Sequence, residues 1–371
     1  MNANTSRQNA DERAEGAQLF DRTTRDLPPG RHQFHKERMM AQIHETQTEE
    51  RGAATSTHPM APAKTRRFRL PRPAIALPAL AAVLAGVVVA GVAASGGGTG
   101  IEDGGLATGP ALTTTVGVAS TKGVPQLLDR IALAAAEDGH PTVEPGQYIY
   151  VESKTADTFL KTVDDKTTLA SHALHTRQVW ESPDGTKGWL IDPAVNDSPE
   201  GETLSLPDEQ GNTPEAYLNS PSYDYLAKLT TDPDALLAKI YKETEGHGNT
   251  PDQEAFTTIG DLLGESYPPA ELYSALFKAA AKIPGVVVVD DAVDAAGRHG
   301  VAVARLDETS GQREEWIFDR KTHVFLGERT VQVNTVGGEG GLIKPGTVVF
   351  TSAIMNRAIV DGIKQTPSQA G

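Results

Sequence analysis

The fold class of this chain is decided by residues 285–333, which read GVVVVDDAVDAAGRHGVAVARLDETSGQREEWIFDRKTHVFLGERTVQV. Runs of β-branched and other apolar residues in this stretch are separated by turns that contain Gly297, Gly311 and residues 319–322. Runs of strand length that are bounded by turn-forming residues are typical of consecutive antiparallel strands. The stretch therefore predicts an antiparallel meander, and it argues against a doubly wound parallel sheet, in which strands and helices would alternate regularly.

A block of helices is predicted immediately before this meander. Residues 124–138 also predict a helix, because Leu127, Leu128 and Ile131 recur at helical spacing. Four later segments carry a Ser, Asp or Pro start signal ahead of spaced apolar residues. They are SPSYDYLAKL (220–229), DPDALLAKIYKETE (232–245), TPDQEAFTTIGDLLGE (250–265) and PPAELYSALFKAAAKIPG (268–285).

Further strands are predicted on both sides of the helical block. GQYIYVESK (146–154) is rich in aromatic and β-branched residues, and TRQVWESPDGTKGWLIDP (176–193) has the pattern of a hairpin that turns at residues 183–185. GTVVFTSAIMNRAIVDGI (346–363) predicts a last strand. The order of strands, helices and strands predicts an α+β domain over residues 122–371, with a curved antiparallel sheet covered by helices on one face.

A different kind of apolar run lies far upstream, at residues 74–94. Its 21 residues carry no charge, and as a helix they would extend roughly 31 Å, close to the thickness of a bilayer core. Arg66, Arg67 and Arg69 stand just before the run, and Glu102 and Asp103 follow it. The positive-inside rule then predicts a single transmembrane helix over 74–94, a cytoplasmic segment over 1–73 and an extracytoplasmic domain beyond residue 95.

Two alternatives for this run stay open. A cleaved signal peptide has a short basic start and an apolar stretch of about 7–15 residues, whereas here 73 residues precede a longer run. A buried core helix is the other alternative, although such a helix seldom lacks a polar face over this length.

Charge and cysteine content exclude several function classes. Residues 1–73 contain 13 Lys and Arg against 9 Asp and Glu, a net charge of +4, whereas residues 95–371 contain 21 against 40, a net charge of −19. A domain this acidic is expected to repel nucleic acid and anionic lipid head groups, so no nucleic-acid partner is expected. The chain has no cysteine, which excludes disulfides, thiol catalysis and thiolate zinc sites.

The predicted cytoplasmic segment contains one candidate for a protein contact. Residues 1–26 and 46–63 are polar, and we expect them to be largely disordered. Between them, residues 31–45 predict a short amphipathic helix whose apolar side includes Phe34, Met40 and Ile43. A helix of this length is marginal alone. It would be ordered by a cytoplasmic protein or by the membrane surface, or it is a nascent helix without a partner; residues 31–44 are the candidate for the protein contact. Residues 95–121 are rich in Gly, Thr and Ser and predict a flexible linker.

No catalytic, cofactor or metal site is predicted from motifs. The glycine-rich stretch GGEGGLIKPG (337–346) lacks the Gly-Lys-Ser/Thr of a phosphate loop. Two acidic pairs, Asp164–Asp165 and Asp290–Asp291, are adjacent along the chain, so the two side chains of each pair would point to opposite faces of a strand. The side chains of His172 and His175 are likewise expected to lie on opposite faces of a strand. We therefore expect no enzyme activity and no cofactor.

Several separated motifs resemble a known family. They are LPPGRHQFHKERMMAQIHE (27–45), the basic stretch with the single span, VPQLLDRIALAAAE (124–137), QVWESPDGTKGWLID (178–192) and EEWIFDRKTHVFLGER (314–329). Together they resemble an actinobacterial family of uncharacterised single-pass membrane proteins, often encoded beside extracytoplasmic-function sigma factors. The resemblance covers most of residues 27–371. It implies a membrane location and a link to a sigma factor, and it implies no catalytic residue. The zinc-binding anti-sigma signature of histidine and paired cysteines is absent.

Two functional hypotheses follow from these features. In the first, a single-pass membrane protein senses a signal with its extracytoplasmic domain, contacts the bilayer through residues 74–94, and binds a cytoplasmic protein, with a sigma factor as the candidate. In the alternative, the domain is an envelope module that binds an apolar ligand in a half-barrel like that of lipoprotein carriers, which is an analogy of fold.

Overall fold

The structure is a computed structural model that describes residues 106–137, 142–163, 166–196, 198–204, 215–335 and 341–367. The predicted cytoplasmic segment, the predicted span over 74–94 and residues 95–105 of the predicted linker lie outside the described residues. Within the described ranges, no helix is both long enough and apolar enough to cross a membrane.

The described residues form a large sheet and five helices. The strands are β1 (Thr108–Pro110), β2 (Ala119–Ser120), β3 (Tyr148–Val163), β4 (Lys166–His172), β5 (His175–Glu181), β6 (Gly188–Ile191), β7 (Glu202–Thr203), β8 (Val286–Val293), β9 (His299–Asp307), β10 (Gln312–Phe318), β11 (Phe325–Gln332) and β12 (Val348–Val360). The helices are α1 (Val124–Glu137), α2 (Tyr223–Leu226), α3 (Pro233–Glu243), α4 (Pro251–Glu265) and α5 (Ala270–Ala280).

All the strand pairs of the sheet are antiparallel. The strands follow the order β2-β8-β9-β10-β11-β12-β3-β5-β6-β7, while β4 pairs with both β3 and β1. The meander predicted over residues 285–333 is confirmed as β8 to β11, and the predicted hairpin is β5 and β6, whose turn contains Gly185 at a φ of 73°. The prediction of an α+β fold with a curved antiparallel sheet is also confirmed.

Three helices begin with a polar side chain that caps the first turn. Ser222, Asp232 and Thr250 each accept a hydrogen bond from the backbone N–H three residues later. Pro233 and Pro251 follow two of these caps, at positions where the missing N–H leaves no helical bond unmade. These starts match the signals in the sequence because capping depends only on residues that are close along the chain.

The helices pack against one face of the sheet and form the main core. Val301 and Val303 of β9 pair with Phe318 and Trp316 of β10, so the four side chains share that face and are buried beneath the helices. Ile317 lies between them in sequence, points to the opposite face and belongs to a second buried cluster. The sheet is therefore buried on both faces in its central strands.

Residues 107–120 cross the opposite face of the sheet, and we call this segment the strap. Its β1 pairs with β4, and its β2 pairs with β8 at the sheet edge. Between these points, the Val348 N–H donates to the Leu112 carbonyl at 2.9 Å, and the Thr114 N–H donates to the Gly346 carbonyl at 2.8 Å. The strap thus joins β4, β12 and β8.

The strap differs from the flexible linker that the sequence predicts over residues 95–121. Its backbone groups are paired with the sheet, and its small residues allow a close approach. A Cβ atom added at Gly117 would lie 2.7 Å from Cγ1 of Val289. The Gly and Thr content that is typical of a linker also suits a segment packed flat on a sheet, so composition alone does not separate the two. The ordered chain begins upstream of residue 122.

Candidate functional site

A cleft of about 340 Å³ opens between the helices and the strands β11 and β12. Helices α1 and α5 form one wall, and the start of β11 and the middle of β12 form the other. Its volume lies at the small end of the range for small-molecule sites. The apolar and aromatic lining includes Tyr267, Tyr273, Phe277, Phe325, Leu326 and Ile354.

Large apolar side chains are exposed where the cleft meets solvent. Val324 and Met355 line the cleft and are 47% and 41% exposed. Exposed apolar groups that adjoin an apolar cleft mark binding sites more often than isolated ones do. The mouth of the cleft therefore offers additional apolar contact area to a ligand.

Arg357 on β12 places a guanidinium group in this apolar lining. Its Nη1 donates to Oη of Tyr273 at 3.3 Å, and its Nη2 donates to the carbonyls of Leu263 and Gly264 in the last turn of α4. The group lies 5.7 Å above the ring of Phe325. A cation at the C-terminal end of a helix is stabilised by the helix dipole, so Arg357 is held in one position. Its Nε is buried without a hydrogen-bond partner among the described residues.

Arg298 supplies a second guanidinium group from the turn between β8 and β9. Its Nε lies 2.6 Å from Oδ2 of Asp294, and its Nη2 donates to the carbonyls of Leu326 at 2.8 Å and Ile354 at 2.9 Å. These bonds join β11 to β12 at the wall of the cleft. The side chain of Asp294 is fully buried, while that of Arg298 is 38% exposed, so the cation faces solvent and the carboxylate does not.

The cleft is a cationic site on an acidic domain. Residues 95–371 have a net charge of −19, yet the described lining contains Arg298 and Arg357 and no Asp or Glu; the buried Asp294, which is not part of the lining, pairs with Arg298. Low-dielectric walls strengthen the field of such charges. The cleft therefore favours an anionic group together with an apolar one.

His172 and His175 do not lie on opposite faces of one strand, so that expectation is wrong. His172 ends β4, and His175 begins β5 after a two-residue turn. Nδ1 of His172 lies 2.7 Å from Oδ1 of Asp157, and Nε2 of His175 lies 2.9 Å from Oδ1 of Asp192. The reversal of the chain at the turn, which spacing along the sequence does not reveal, brings both rings against carboxylates.

The environment of His175 favours the protonated form of its ring. Burial alone would lower its pKa, but the hydrogen-bonding contacts with Asp192 and with the Ala173 carbonyl outweigh burial and raise the pKa above its usual value. Burial would likewise raise the pKa of Asp192, yet contact with His175 and the charge of Arg177 hold that pKa below its usual value. At pH below about 6.5 the pair is therefore an imidazolium and a carboxylate. In the described part of the chain, no group of three or more acidic or histidine side chains is arranged to hold a metal ion.

The other acidic pairs considered in the sequence do not form a site among the described residues. Asp290 and Asp291 are exposed on β8, and Oδ1 of Asp291 lies 3.2 Å from His299 and 3.5 Å from Arg320. The acidic pair at residues 164–165 lies outside the described ranges, and so do residues 337–340 of the glycine-rich stretch.

The sequence did not reveal the cleft, because its walls come from distant segments. Ala134, Tyr273, Arg298 and Arg357 are contributed by two helices, a turn and the last strand. One signal was available, since Arg357 is the one charged residue within residues 346–360 of the last predicted strand. An arginine at such a position is typical of a paired or functional cation.

No family model matches the sequence, and no curated protein matches it. Among solved structures, a chain from the complex of MucA and MucB of Pseudomonas aeruginosa is similar at 12% identity, with a TM-score of 0.23. The match covers 66% of this chain and 59% of that chain. This chain thus spans about three fifths of that relative, and a likeness of this extent assigns no function.

Proposed function

We propose that this protein is a single-pass membrane regulator whose extracytoplasmic domain binds an amphipathic anion in the cleft. The observation that carries the ligand part is the composition of the cleft. Its apolar lining contains two arginines and no carboxylate, and only Arg298 is paired with a carboxylate, that of the buried Asp294. An apolar site with a few fixed polar groups is the usual design of a small-molecule pocket.

The arrangement of the lining suggests the class of ligand. An aliphatic tail would pack against Phe277, Phe325 and Ile354, and an anionic head group would lie near Arg298 and the Nε side of Arg357. Both arginines are already fixed by hydrogen bonds to backbone carbonyls, so binding would order little and lose little entropy. A single-chain lipid carboxylate or phosphate has this chemistry.

The membrane and partner parts of the proposal rest on the sequence. The uncharged run over residues 74–94, the basic residues before it and the change of net charge from +4 to −19 across it support one span with the folded domain outside the cytoplasm. The amphipathic pattern over 31–44 and the resemblance to proteins encoded beside sigma factors support a cytoplasmic protein contact. In this scheme, ligand occupancy outside the cell regulates a partner inside it.

Binding of laurate to the full-length protein tests the ligand part, with dodecanol as the uncharged probe of equal chain length. We expect laurate to bind and dodecanol to bind at least tenfold more weakly, because a desolvated arginine contact contributes roughly 1.4 kcal/mol or more. Met355→Asp should weaken laurate binding at least tenfold, because it adds a negative charge to the exposed mouth of the cleft. Leu342→Asp is the matched control, since Leu342 is similarly exposed but does not line the cleft.

Either of two results would remove the ligand assignment. Equal binding of laurate and dodecanol would contradict the assignment of an anionic ligand. Equal effects of Met355→Asp and Leu342→Asp on laurate binding would contradict the location of the ligand in the cleft.

Protease accessibility of a C-terminal tag on intact cells tests the membrane topology, and a protected tag would contradict it. Co-purification of a sigma factor that survives deletion of residues 27–45 would contradict the cytoplasmic contact.

A further inference from the structure

The strap is attached to the sheet at the same turn that positions His175. The Ala173 N–H donates to the Ala107 carbonyl at the start of the strap, at 2.8 Å. The Ala173 carbonyl accepts a hydrogen bond from Nδ1 of His175 at 2.9 Å. One residue of the β4–β5 turn therefore joins the strap to the histidine ring. The Leu112 N–H makes the next strap contact, to Oγ of Ser171 at 3.0 Å.

The surroundings of His175 favour a proton on each of its ring nitrogens. Nδ1 is hydrogen-bonded to a carbonyl oxygen at 2.9 Å, and Nε2 lies 2.9 Å from Oδ1 of Asp192, an ion-pair contact that is not aligned as a hydrogen bond, so an oxygen atom lies close to each nitrogen. A neutral imidazole carries only one N–H, and its other nitrogen would then present a lone pair to an oxygen. The two side chains are 5% and 1% exposed, so water cannot readily replace the lost contact.

We propose that His175 is a proton-operated clasp that controls how firmly the strap is held on β4. With both nitrogens protonated, the ring ties the β4–β5 turn to Asp192 and keeps Ala173 in place for the strap. With one proton lost, either the Ala173 contact or the Asp192 contact fails, and the first attachment of the strap loosens. The strap is the described segment nearest in sequence to the predicted span, so the device would couple external pH to the start of the domain.

The charged groups around the ring agree with this assignment. Asp192 follows β6 and faces Nε2, and Arg177 on β5 approaches the other oxygen of Asp192 at 3.6 Å. Asp157 on β3 also raises the pKa of His175 through its negative charge, and it holds His172 at 2.7 Å. Because the folded-state pKa of His175 lies above its usual value, the contact is complete at pH below about 6.5 and is lost as pH rises through the folded-state pKa.

Hydrogen exchange of the full-length protein tests the clasp. The amides of Ala173 and Leu112 report the strap contacts directly, and the Trp316 amide in the central strand β10 serves as an internal reference. Native protein and His175→Gln are compared at about pH 6 and about pH 8.5, so that intrinsic exchange rates cancel at each pH. In the native protein, we expect the protection of the two strap amides relative to the Trp316 amide to fall roughly tenfold from about pH 6 to about pH 8.5. His175→Gln should show no such change.

His299→Gln is the matched control, because it removes a histidine from an exposed His–Asp pair, and it should respond as the native protein does. Equal relative protection of the native strap amides at both pH values overturns the proposal, as does a native response in His175→Gln. If His175→Gln does not fold, Asp192→Asn gives a second test. It should move the midpoint of the response to lower pH, and an unmoved midpoint overturns the clasp. The cleft takes no part in these measurements, so they are independent of the ligand proposal.

Discussion

Phe256 of α4 stacks face to face on Trp316 of β10, with ring centroids 3.8 Å apart and ring planes within 6° of parallel. Both side chains are completely buried. Gly260, one turn further along α4, brings the helix backbone close to the indole, and a Cβ atom there would lie 2.5 Å from Nε1 of Trp316. The stack therefore depends on a glycine within the helix.

Substitution of this glycine should destabilise the domain despite the better helix propensity of alanine. Gly260→Ala gains about 1 kcal/mol of propensity, but its Cβ would also lie 2.7 Å from Oε1 of Glu314, and overpacking costs about 1–3 kcal/mol. We expect a net loss of up to about 2 kcal/mol in the free energy of unfolding, measured by urea denaturation. Gly264→Ala is the control on the same helix, because its Cβ would meet Oε1 of Glu328 at an ordinary 3.4 Å, and it should be neutral or stabilising. A Gly260→Ala protein as stable as Gly264→Ala would contradict the close packing.

A buried carboxyl pair should make stability fall as pH rises. Glu254 and Glu314 are 1% and 6% exposed, and burial, followed by the charge of Glu314, raises the pKa of Glu254 to about 8. Glu314 accepts hydrogen bonds from Thr257 at 2.8 Å and Trp316 at 3.1 Å, which hold its carboxyl group in place.

The folded state therefore binds one more proton than the unfolded chain between about pH 4.5 and pH 8. Stability should fall across this window, by on the order of 5 kcal/mol for this group. Glu254→Gln should remove that part of the pH dependence and be more stable than the native protein near pH 8. Denaturant midpoints across the window measure the effect, with the exposed Glu308→Gln as control. Parallel pH profiles for Glu254→Gln and the native protein would show that the proton is not held there.

A buried ion triad beneath the strap should be sensitive to loss of its central carboxylate. Glu315 is fully buried and accepts from Nε of Arg313 at 2.8 Å and from Nε of Arg329 at 2.7 Å. Glu315→Gln would leave two buried guanidinium groups without a counter-ion, and we expect a loss of about 3–5 kcal/mol in the free energy of unfolding. Asp291→Asn, which breaks an exposed ion pair, should cost at most about 1 kcal/mol. Similar losses for the two variants would contradict the burial of the triad.

The strap should be part of the stable domain. A fragment that begins at residue 122 lacks strap bonds to Ala173, Ser171, Gly346 and Val348, and it exposes the face that carries the ion triad. At about 1 kcal/mol for each net hydrogen bond, it should be at least about 3 kcal/mol less stable than a fragment that begins at residue 106. Guanidinium unfolding of the two fragments measures the difference. Equal stability of the two fragments would support the flexible linker that the composition of residues 95–121 predicts.

Much of the architecture was predictable because it depends on neighbours along the chain. The meander over 285–333 follows from strand-length apolar runs and their turns, and the starts of α3 and α4 follow from Asp232 and Thr250. The strap was not predictable, because Gly117 has the same local signature in a free linker and in a segment pressed against Val289. Only the partner strands distinguish the two.

Sequence by itself determined the α+β class, the helix starts, the charge difference between the two ends of the chain and the apolar run over 74–94, since each of these is a property of adjacent residues. Tertiary structure alone decided the cleft and the clasp. Arg298 and Arg357 reach one cleft, and His175 reaches Asp192, only after the sheet has brought distant strands together. The physical reason is that burial and fixed charges act through space, whereas periodicity and capping act along the chain.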